Sequence, residues 1–351
     1  MRIAQVSPLY ESVPPKFYGG TERVVSYLTE ELVKMGHEVT LFASADSVTK
    51  AHLIPICKRS LRLDSECQDS LCHHILMLEE VFKRASFFDV IHFHIDYIHF
   101  PLAKRCQTPS LTTLHGRLDI PDLIPLYQKF KELPFVSISD AQRGPLPWLN
   151  WQATVYHGLP QNLYSFHPNP GKYLAFIGRI SPEKRPDRAI KIAERVGIPL
   201  KIAAKIDAKD KEYFETVIRP LMKSSSLVEF IGEIGEREKD DFLGNAYALL
   251  FPVDWPEPFG LVMIEAMACG TPVIAWRCGS VPEVIEDGKT GFIVNSMDEA
   301  VKAVGKVEQI NRKTCRKTFE NRFSARRMAE DYIKVYQKLL RTRAKTLLKA
   351  V

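Results

Sequence analysis

The chain has no apolar run near the ~18 residues that a membrane-spanning helix requires; its longest, such as residues 246–253, have the length of a strand. It has no CxxC pair. Its seven cysteines are scattered and odd in number, which argues for a reduced, cytosolic setting and against a disulfide framework or a zinc site. The start, Met1-Arg2-Ile3-Ala4-Gln5-Val6, enters a strand-like segment without the charged and long apolar regions of a signal peptide. The dinucleotide fingerprint GxGxxG is missing too, so a dehydrogenase reading has little to stand on.

What is present is globular. The 351 residues suffice for two domains with a core each, and 45% hydrophobic and 26% charged residues are ordinary for such a chain. The net charge of +6 hides an asymmetry: residues 312–349 carry thirteen Lys or Arg and three acids, a local +10, leaving about −4 for the rest. Basicity belongs to the tail.

Residues 2–7 read as a buried strand. Gly19-Gly20-Thr21-Glu22 then opens an amphipathic helix with Val24, Val25, Leu28, Leu32 and Val33 on one side, and residues 38–43 form a second strand. Strand, glycine turn, helix, strand is the first unit of a doubly wound α/β domain. The glycines either admit a ligand or relieve the turn. Residues 50–74 lack periodicity and predict an irregular or short-strand excursion. A helix near 75–85 precedes the buried strand 89–94, and His115 lies at the end of the strand 110–116, where open α/β sheets place their ligands. Strands at 135–139 and 153–158 close this half.

Residues 158–171 shift to Pro, Asn and Gly, as a linker does. A second alternation follows: strands at 173–177, 200–204, 228–231 and 249–252, with helices at 186–196, 210–223 and 236–246 between them. A strand at 272–275, a hairpin-like stretch at 287–294 and a long helix at 324–340 complete the chain.

The stretch from Asp254 to Pro272 is the most informative. Pro256 and Pro258 delay any helix until Phe259, and Gly270 and Pro272 end it. Between them lies an almost wholly apolar helix, hence a buried one, whose single charge is Glu265. Such a carboxylate costs free energy unless something binds it. The helix start at Gly260 offers bare amides and a positive dipole end to an anion. Phe259 and Glu265 lie about 9 Å apart at ~1.5 Å per residue, roughly the span of a diphosphate linkage.

Gly19-Gly20-Thr21-Glu22, Asp89-Val90-Ile91-His92, His115, Phe176-Ile177-Gly178-Arg179 with Glu183-Lys184, and the Glu-seven-residues-Glu motif from Glu257 to Glu265 together resemble a retaining nucleotide-sugar glycosyltransferase of family 4. The resemblance covers nearly the whole chain. It implies the GT-B architecture: two doubly wound Rossmann-like α/β domains facing across a cleft, residues 1–163 binding the acceptor and 164–323 the donor. A C-terminal helix, 324–351, would cross back onto the N-terminal domain. By the same resemblance Arg179 and Lys184 hold the diphosphate, and Glu257 orients the sugar hydroxyls with the Phe259, Gly260 and Leu261 amides nearby. Glu265 accepts the ribose hydroxyls, Ile234 contacts the base, Gly20 lets the diphosphate approach and His115 stands at the donor sugar. His92 and His94 alternate on a core strand and read as structural, while Asp140 is a candidate on the acceptor side.

The resemblance implies front-face transfer with retention; no Asp-x-Asp motif is present, which fits a metal-independent reaction, and no obvious nucleophile–acid carboxylate pair is present. No cofactor is expected. The donor is a nucleoside diphosphate sugar, UDP-glucose-like first and GDP-mannose next, and the acceptor a sugar, polyol or lipid-linked hydroxyl. Acceptor pockets are expected in the loops 11–18 and 117–126. A phosphorylase or epimerase of the same fold is the nearest competitor. Nucleic acid is not an expected partner, since the basic residues lack interleaved aromatics beyond Tyr332 and Tyr336. The tail residues Arg341, Arg343, Lys345 and Lys349 either dock peripherally on anionic membrane or form a solvated face.

Overall fold

A computed structural model describes residues 1–16 and 19–349, apart from the side chains of 345–349. Tyr18, at the end of the expected acceptor loop, and the side chains of Lys345 and Lys349 in the basic tail therefore lie outside the described residues. The chain divides into two units, Met1–Pro160 with Ala325–Val351 and Gln161–Ser324, so the divisions fall at Pro160 and Ser324 rather than at 163 and 323.

The first unit is built on seven parallel strands: β1 (Arg2–Val6), β2 (Glu38–Ala43), β3 (His52–Pro55), β4 (Val90–Phe93), β5 (Ser110–Thr113), β6 (Phe135–Ser137) and β7 (Trp151–Thr154). Their spatial order is β3-β2-β1-β4-β5-β6-β7. The central strands are short and apolar enough to be buried on both faces, which a parallel sheet covered by helices demands. Helix α1 (Gly20–Lys34) connects β1 to β2 and buries Val24, Val25, Leu28 and Leu32. Helix α2 (Ser70–Lys83) starts five residues earlier than its apolar period indicates, because the Asp69 side chain caps the Leu71 amide at 2.8 Å.

In the second unit six parallel strands, β8 (Tyr173–Arg179), β9 (Leu200–Lys205), β10 (Val228–Gly232), β11 (Ala246–Phe251), β12 (Val273–Trp276) and β13 (Gly291–Val294), take the order β10-β9-β8-β11-β12-β13. Helices α3 (Pro186–Val196), α4 (Glu236–Gly244) and α5 (Leu261–Cys269) follow β8, β10 and β11. Two expectations fail here. The segment 287–294 is no hairpin: β13 pairs parallel with β12, and the short helix Val281–Val284 lies in the crossover that a parallel pair needs. The helix at 210–223 is also not continuous. A π-helical stretch, Phe214–Ile218, interrupts it just before Pro220, which has no amide proton to give the carbonyl of Thr216.

The last helix, α6 (Ala325–Lys349), belongs to the first unit, where it buries Met328, Tyr332, Val335 and Tyr336. In each sheet the strand order reverses once, between β1 and β4 and between β8 and β11. Connections diverge at such a point and leave a crevice at the C-terminal strand ends, where ligands of doubly wound sheets sit.

Candidate functional site

In the second unit the loops after β8 and β11 meet at the reversal point. The Asp254 amide donates to the Glu183 carbonyl at 2.8 Å, joining the two loops through the backbone. Arg185, a non-glycine residue at φ 54°, is held in that left-handed conformation by a bidentate contact to Asp187 (2.9 Å twice) and by Asp254 at 2.6 Å. Burial alone would raise the Asp187 carboxyl, but its hydrogen bond from Arg185 holds it below the ordinary range. Arg188 reaches the same Asp254 oxygen at 3.1 Å while lying over the Trp276 ring. Three charged side chains thus lock one loop to the other.

On that frame sit Lys184 and Glu257. Their side chains form a direct ion pair, with the Lys184 ammonium 5.1 Å from the centre of the Trp255 ring. Trp255 Nε1 donates to Glu257 Oε2 at 2.7 Å, so the carboxylate is fixed from two directions. Its backbone is fixed too. The Ser280 amide donates to the Glu257 carbonyl at 3.0 Å, and a Cβ on Gly279 (φ 51°) would fall 2.3 Å from that oxygen. The Ser280 hydroxyl donates to the Phe259 carbonyl at 2.7 Å. Gly260, at φ 78°, then turns the chain into α5.

Glu265 lies inside α5 with its side chain 3% exposed, paired with Lys239 of α4 at 2.8 Å. Lys239 escaped the sequence analysis because charges surround α4 on every side from Glu236 to Asp241 and leave no pattern to single it out. Arg179, at the end of β8, is enclosed by carboxylates: Glu183 in direct contact, Asp210 at 3.1 Å and Asp207 at 3.8 Å. Burial pushes the Glu183 carboxyl up, but its own backbone amide and the Arg179 charge more than offset this, and it sits below its ordinary value. Ile234 lies half-buried in the loop between β10 and α4.

In the first unit Gly20 opens α1 just beyond β1, and His115 follows β5 by two residues. Burial pushes the His115 imidazole down to about 3, so at neutral pH it is an uncharged donor and acceptor. Its Nε2 meets His94 Nδ1 at 2.9 Å, and its ring stacks on His157 with centroids 5.3 Å apart. Asp140 is exposed and accepts a hydrogen bond from Thr154, which ties it to the end of β7. Among the described residues no group of three or more His, Cys, Asp or Glu side chains is arranged to hold a metal ion, and no helix is long and apolar enough to cross a membrane.

Two family models match in tandem: "Glycosyltransferase Family 4" over residues 18–177 and "Glycosyl transferases group 1" over residues 165–325. The chain belongs to glycosyltransferase family 4. D-inositol 3-phosphate glycosyltransferase of Streptomyces avermitilis is 25% identical, over 81% of this chain and 74% of that one. The crystal structure of AviGT4, a glycosyltransferase involved in avilamycin A biosynthesis, aligns over 97% of this chain and 98% of its own with a TM-score of 0.71 and 25% identity. Anabaena HepE in complex with UDP aligns over 96% and 100% at a TM-score of 0.75 with 17% identity, a likeness of fold. The two doubly wound sheets are thus those of the GT-B fold.

The structure brings some of this glycosyltransferase's expected site residues together and leaves others apart. Lys184 and Glu257 touch, and Glu257, Phe259 and Gly260 share one braced turn leading to Leu261 and Glu265. Arg179 and Lys184, expected as the basic pair on the diphosphate, are each engaged by carboxylates. Trp255, Gly279, Asp207 and Asp210 escaped the sequence analysis; the first two are needed by backbone and ring geometry, which a one-dimensional pattern does not carry.

Proposed function

We propose that this glycosyltransferase takes a hexose from a nucleoside diphosphate sugar, UDP-glucose first and GDP-mannose next, and transfers it with retention to a sugar, polyol or lipid-linked hydroxyl. The observation that carries the reading is the pair of partnered carboxylates at the two ends of one braced segment, half-buried Glu257 on Lys184 and buried Glu265 on Lys239. Between them α5 presents its first amides, whose partial positive charge suits a phosphate. In this reading Glu265 receives the ribose hydroxyls, the Phe259, Gly260 and Leu261 amides the phosphate, and Glu257 the sugar hydroxyls, with Ile234 at the base. Lys184 and Arg179 stabilise the leaving diphosphate once it competes with their present carboxylate partners. Gly20 and His115 of the first unit serve the diphosphate and the sugar. The departing phosphate takes the acceptor proton, and cation charge comes from side chains rather than a metal ion.

The Lys184–Glu257 contact supports a coupled role, since a lysine that leaves Glu257 for a phosphate frees that carboxylate for sugar hydroxyls. HepE, which shares the fold, was solved with UDP and with UDP-glucose, which favours a uridine donor. Arg341 and Arg343 suit a solvated helix end as well as an anionic lipid surface. A thermal-shift screen of UDP, GDP and ADP sugars tests the donor: UDP-glucose should raise the melting temperature of the wild type and not of Glu265→Ala. An equal shift in both proteins would remove Glu265 from the ribose. Transfer activity should persist in EDTA, and its loss there would contradict the metal-free scheme.

A further inference from the structure

Strand register puts Gln5 of β1 opposite His92 of β4, and the two-residue alternation brings His94 and Thr113 of β5 to the same face. All four are buried at 2% exposure or less, in the middle of a sheet where apolar side chains would pack at lower cost. Every one of them is hydrogen-bonded. His115 Nε2 meets His94 Nδ1 at 2.9 Å, and His94 Nε2 meets Gln5 Oε1 at 2.8 Å. Gln5 Nε2 donates to the Tyr336 hydroxyl at 3.2 Å, and that hydroxyl meets His92 Nδ1 at 2.8 Å. His92 Nε2 meets the Thr113 hydroxyl at 2.7 Å, and Thr113 meets the Tyr332 hydroxyl at 2.9 Å. The chain runs from His115 to two tyrosines of α6.

The Gln5 amide sets the direction of all these bonds. Its Oε1 can only accept, so His94 Nε2 carries the proton; His94 Nδ1 is then the acceptor, and His115 must donate from Nε2. On the other side Gln5 Nε2 donates to Tyr336, which therefore gives its own proton to His92 Nδ1, and His92 donates onward to Thr113. The bonds from His115 to His94, Gln5 and Tyr336 thus all run away from His115, and the Tyr336 proton returns into the sheet to His92. Burial holds His92 and His94 well below their ordinary pKa and the Tyr336 hydroxyl well above, so no member is charged at neutral pH.

We infer that Gln5, His94 and Tyr336 are positioning residues for His115: a buried hydrogen-bond chain fixes it as the Nε2–H tautomer and leaves Nδ1 as an acceptor for a substrate hydroxyl. Among the described residues Nδ1 has no hydrogen-bond partner, while the stacked His157 ring limits how the imidazole can turn. The chain also gives α6 a part in the site beyond packing, since its two hydroxyls close the network from residues more than 200 positions away in sequence. The inference rests on the proposed place of His115 at the transferred sugar.

Nitrogen NMR of the full-length protein labelled with ¹⁵N-histidine reads the tautomer directly, with His115 assigned by its loss in His115→Gln. The wild type should show one neutral form protonated at Nε2. Tyr336→Phe removes the acceptor of the Gln5 Nε2–H, so the Gln5 amide loses the partner that orients it and both tautomers should appear, and Gln5→Met should do the same. In Tyr336→Phe, which keeps the ring, kcat should fall about 10-fold with KM for UDP-glucose within about twofold, as for loss of an orienting partner. An unchanged tautomer in both variants overturns the inference, as does an altered tautomer with wild-type kcat. The tautomer is read without substrate. A wrong donor would silence turnover in the wild type too, while leaving the NMR result intact.

Discussion

Lys239 is what makes the burial of Glu265 tolerable. A carboxylate whose side chain is 3% exposed, in a helix otherwise apolar, has an ammonium 2.8 Å away to offset the cost of its burial. Removing one member of such a pair strands the other, at a cost of about 3 kcal/mol, whereas replacing both can be nearly neutral. Lys239→Met should therefore lower stability by about that amount in urea titration, and adding Glu265→Gln should recover more than half of it. A single-variant loss below about 0.5 kcal/mol, the range of ordinary surface changes, would show that the pair is solvated and replaceable. At this scale the sequence identifies Glu265, because a lone charge in an apolar period stands out. Its partner is hidden, because Lys239 is one charge among many on α4. Tyr332 and Tyr336 show the converse: an apolar helical stripe marks them as core, which they are, but the stripe does not register that their hydroxyls face Thr113, Gln5 and His92.

The turn that leads into α5 depends on two glycines, and the atoms around them rank their importance. A Cβ on Gly260 would meet the ends of flexible side chains, Met263 Cε at 2.8 Å and Phe251 Cζ at 2.9 Å, in addition to the strain of φ 78°. A Cβ on Gly279 would meet backbone, the Glu257 oxygen at 2.3 Å and nitrogen at 2.5 Å, which cannot step aside without moving Glu257 itself. Gly260→Ala should cost about 1–2 kcal/mol, mostly conformational strain. Gly279→Ala should cost more, about 3 kcal/mol, and should lower kcat in the fraction that remains folded. Urea titration with parallel kinetics separates the two; equal stability losses would mean the Glu257 backbone is free to shift. The sequence shows α5, its capping glycine and the alternation of both sheets, since these are local periods and breaks. It misplaces β13 because a turn at Asp287-Gly288 looks alike whether the next strand returns antiparallel or joins a crossover.

Over the whole molecule the two units differ in what they bury, and acid should tell them apart. The first unit holds His92, His94, His99, His115 and His157, all with pKa lowered by burial, His99 and His115 to about 3. Unfolded, each titrates near 6.5, so below that pH the unfolded chain binds more protons and stability is lost as pH falls toward the folded values. Glu22 opposes this. Burial raises it from 4.5 to about 7, so its contribution is present below 4.5 and is lost as pH rises through 7. Five histidines outweigh two carboxyls, Glu22 and Asp96, which burial also raises, each group with a slope of up to about 1.4 kcal/mol per pH unit. Hydrogen exchange followed by segment from pH 7 to 5 should show the first unit opening more readily at the lower pH, with little change in Gln161–Ser324. The opposite order would mean the histidines are hydrated in solution.

The first unit is also discontinuous in sequence, and that has its own consequence. Without α6, the polar row Gln5, His92 and Thr113 would lose the Tyr332 and Tyr336 hydroxyls while remaining inside the sheet face. Each buried polar group left unpaired costs about 1–3 kcal/mol, and the apolar stripe Met328, Val335 and the two tyrosine rings is lost with it. Domain stabilities total only about 5–15 kcal/mol, so these losses are of the same size as the whole. Residues 1–160 expressed alone should therefore unfold without a cooperative transition and bind a hydrophobic dye. Residues 161–324, a continuous stretch that holds the whole cluster around Leu174, Ile202 and Ile274, should unfold cooperatively. A cooperative, dye-free fragment 1–160 would show that α6 rests on a sheet already stable by itself, and that its tyrosines are held there by the network rather than needed for the fold.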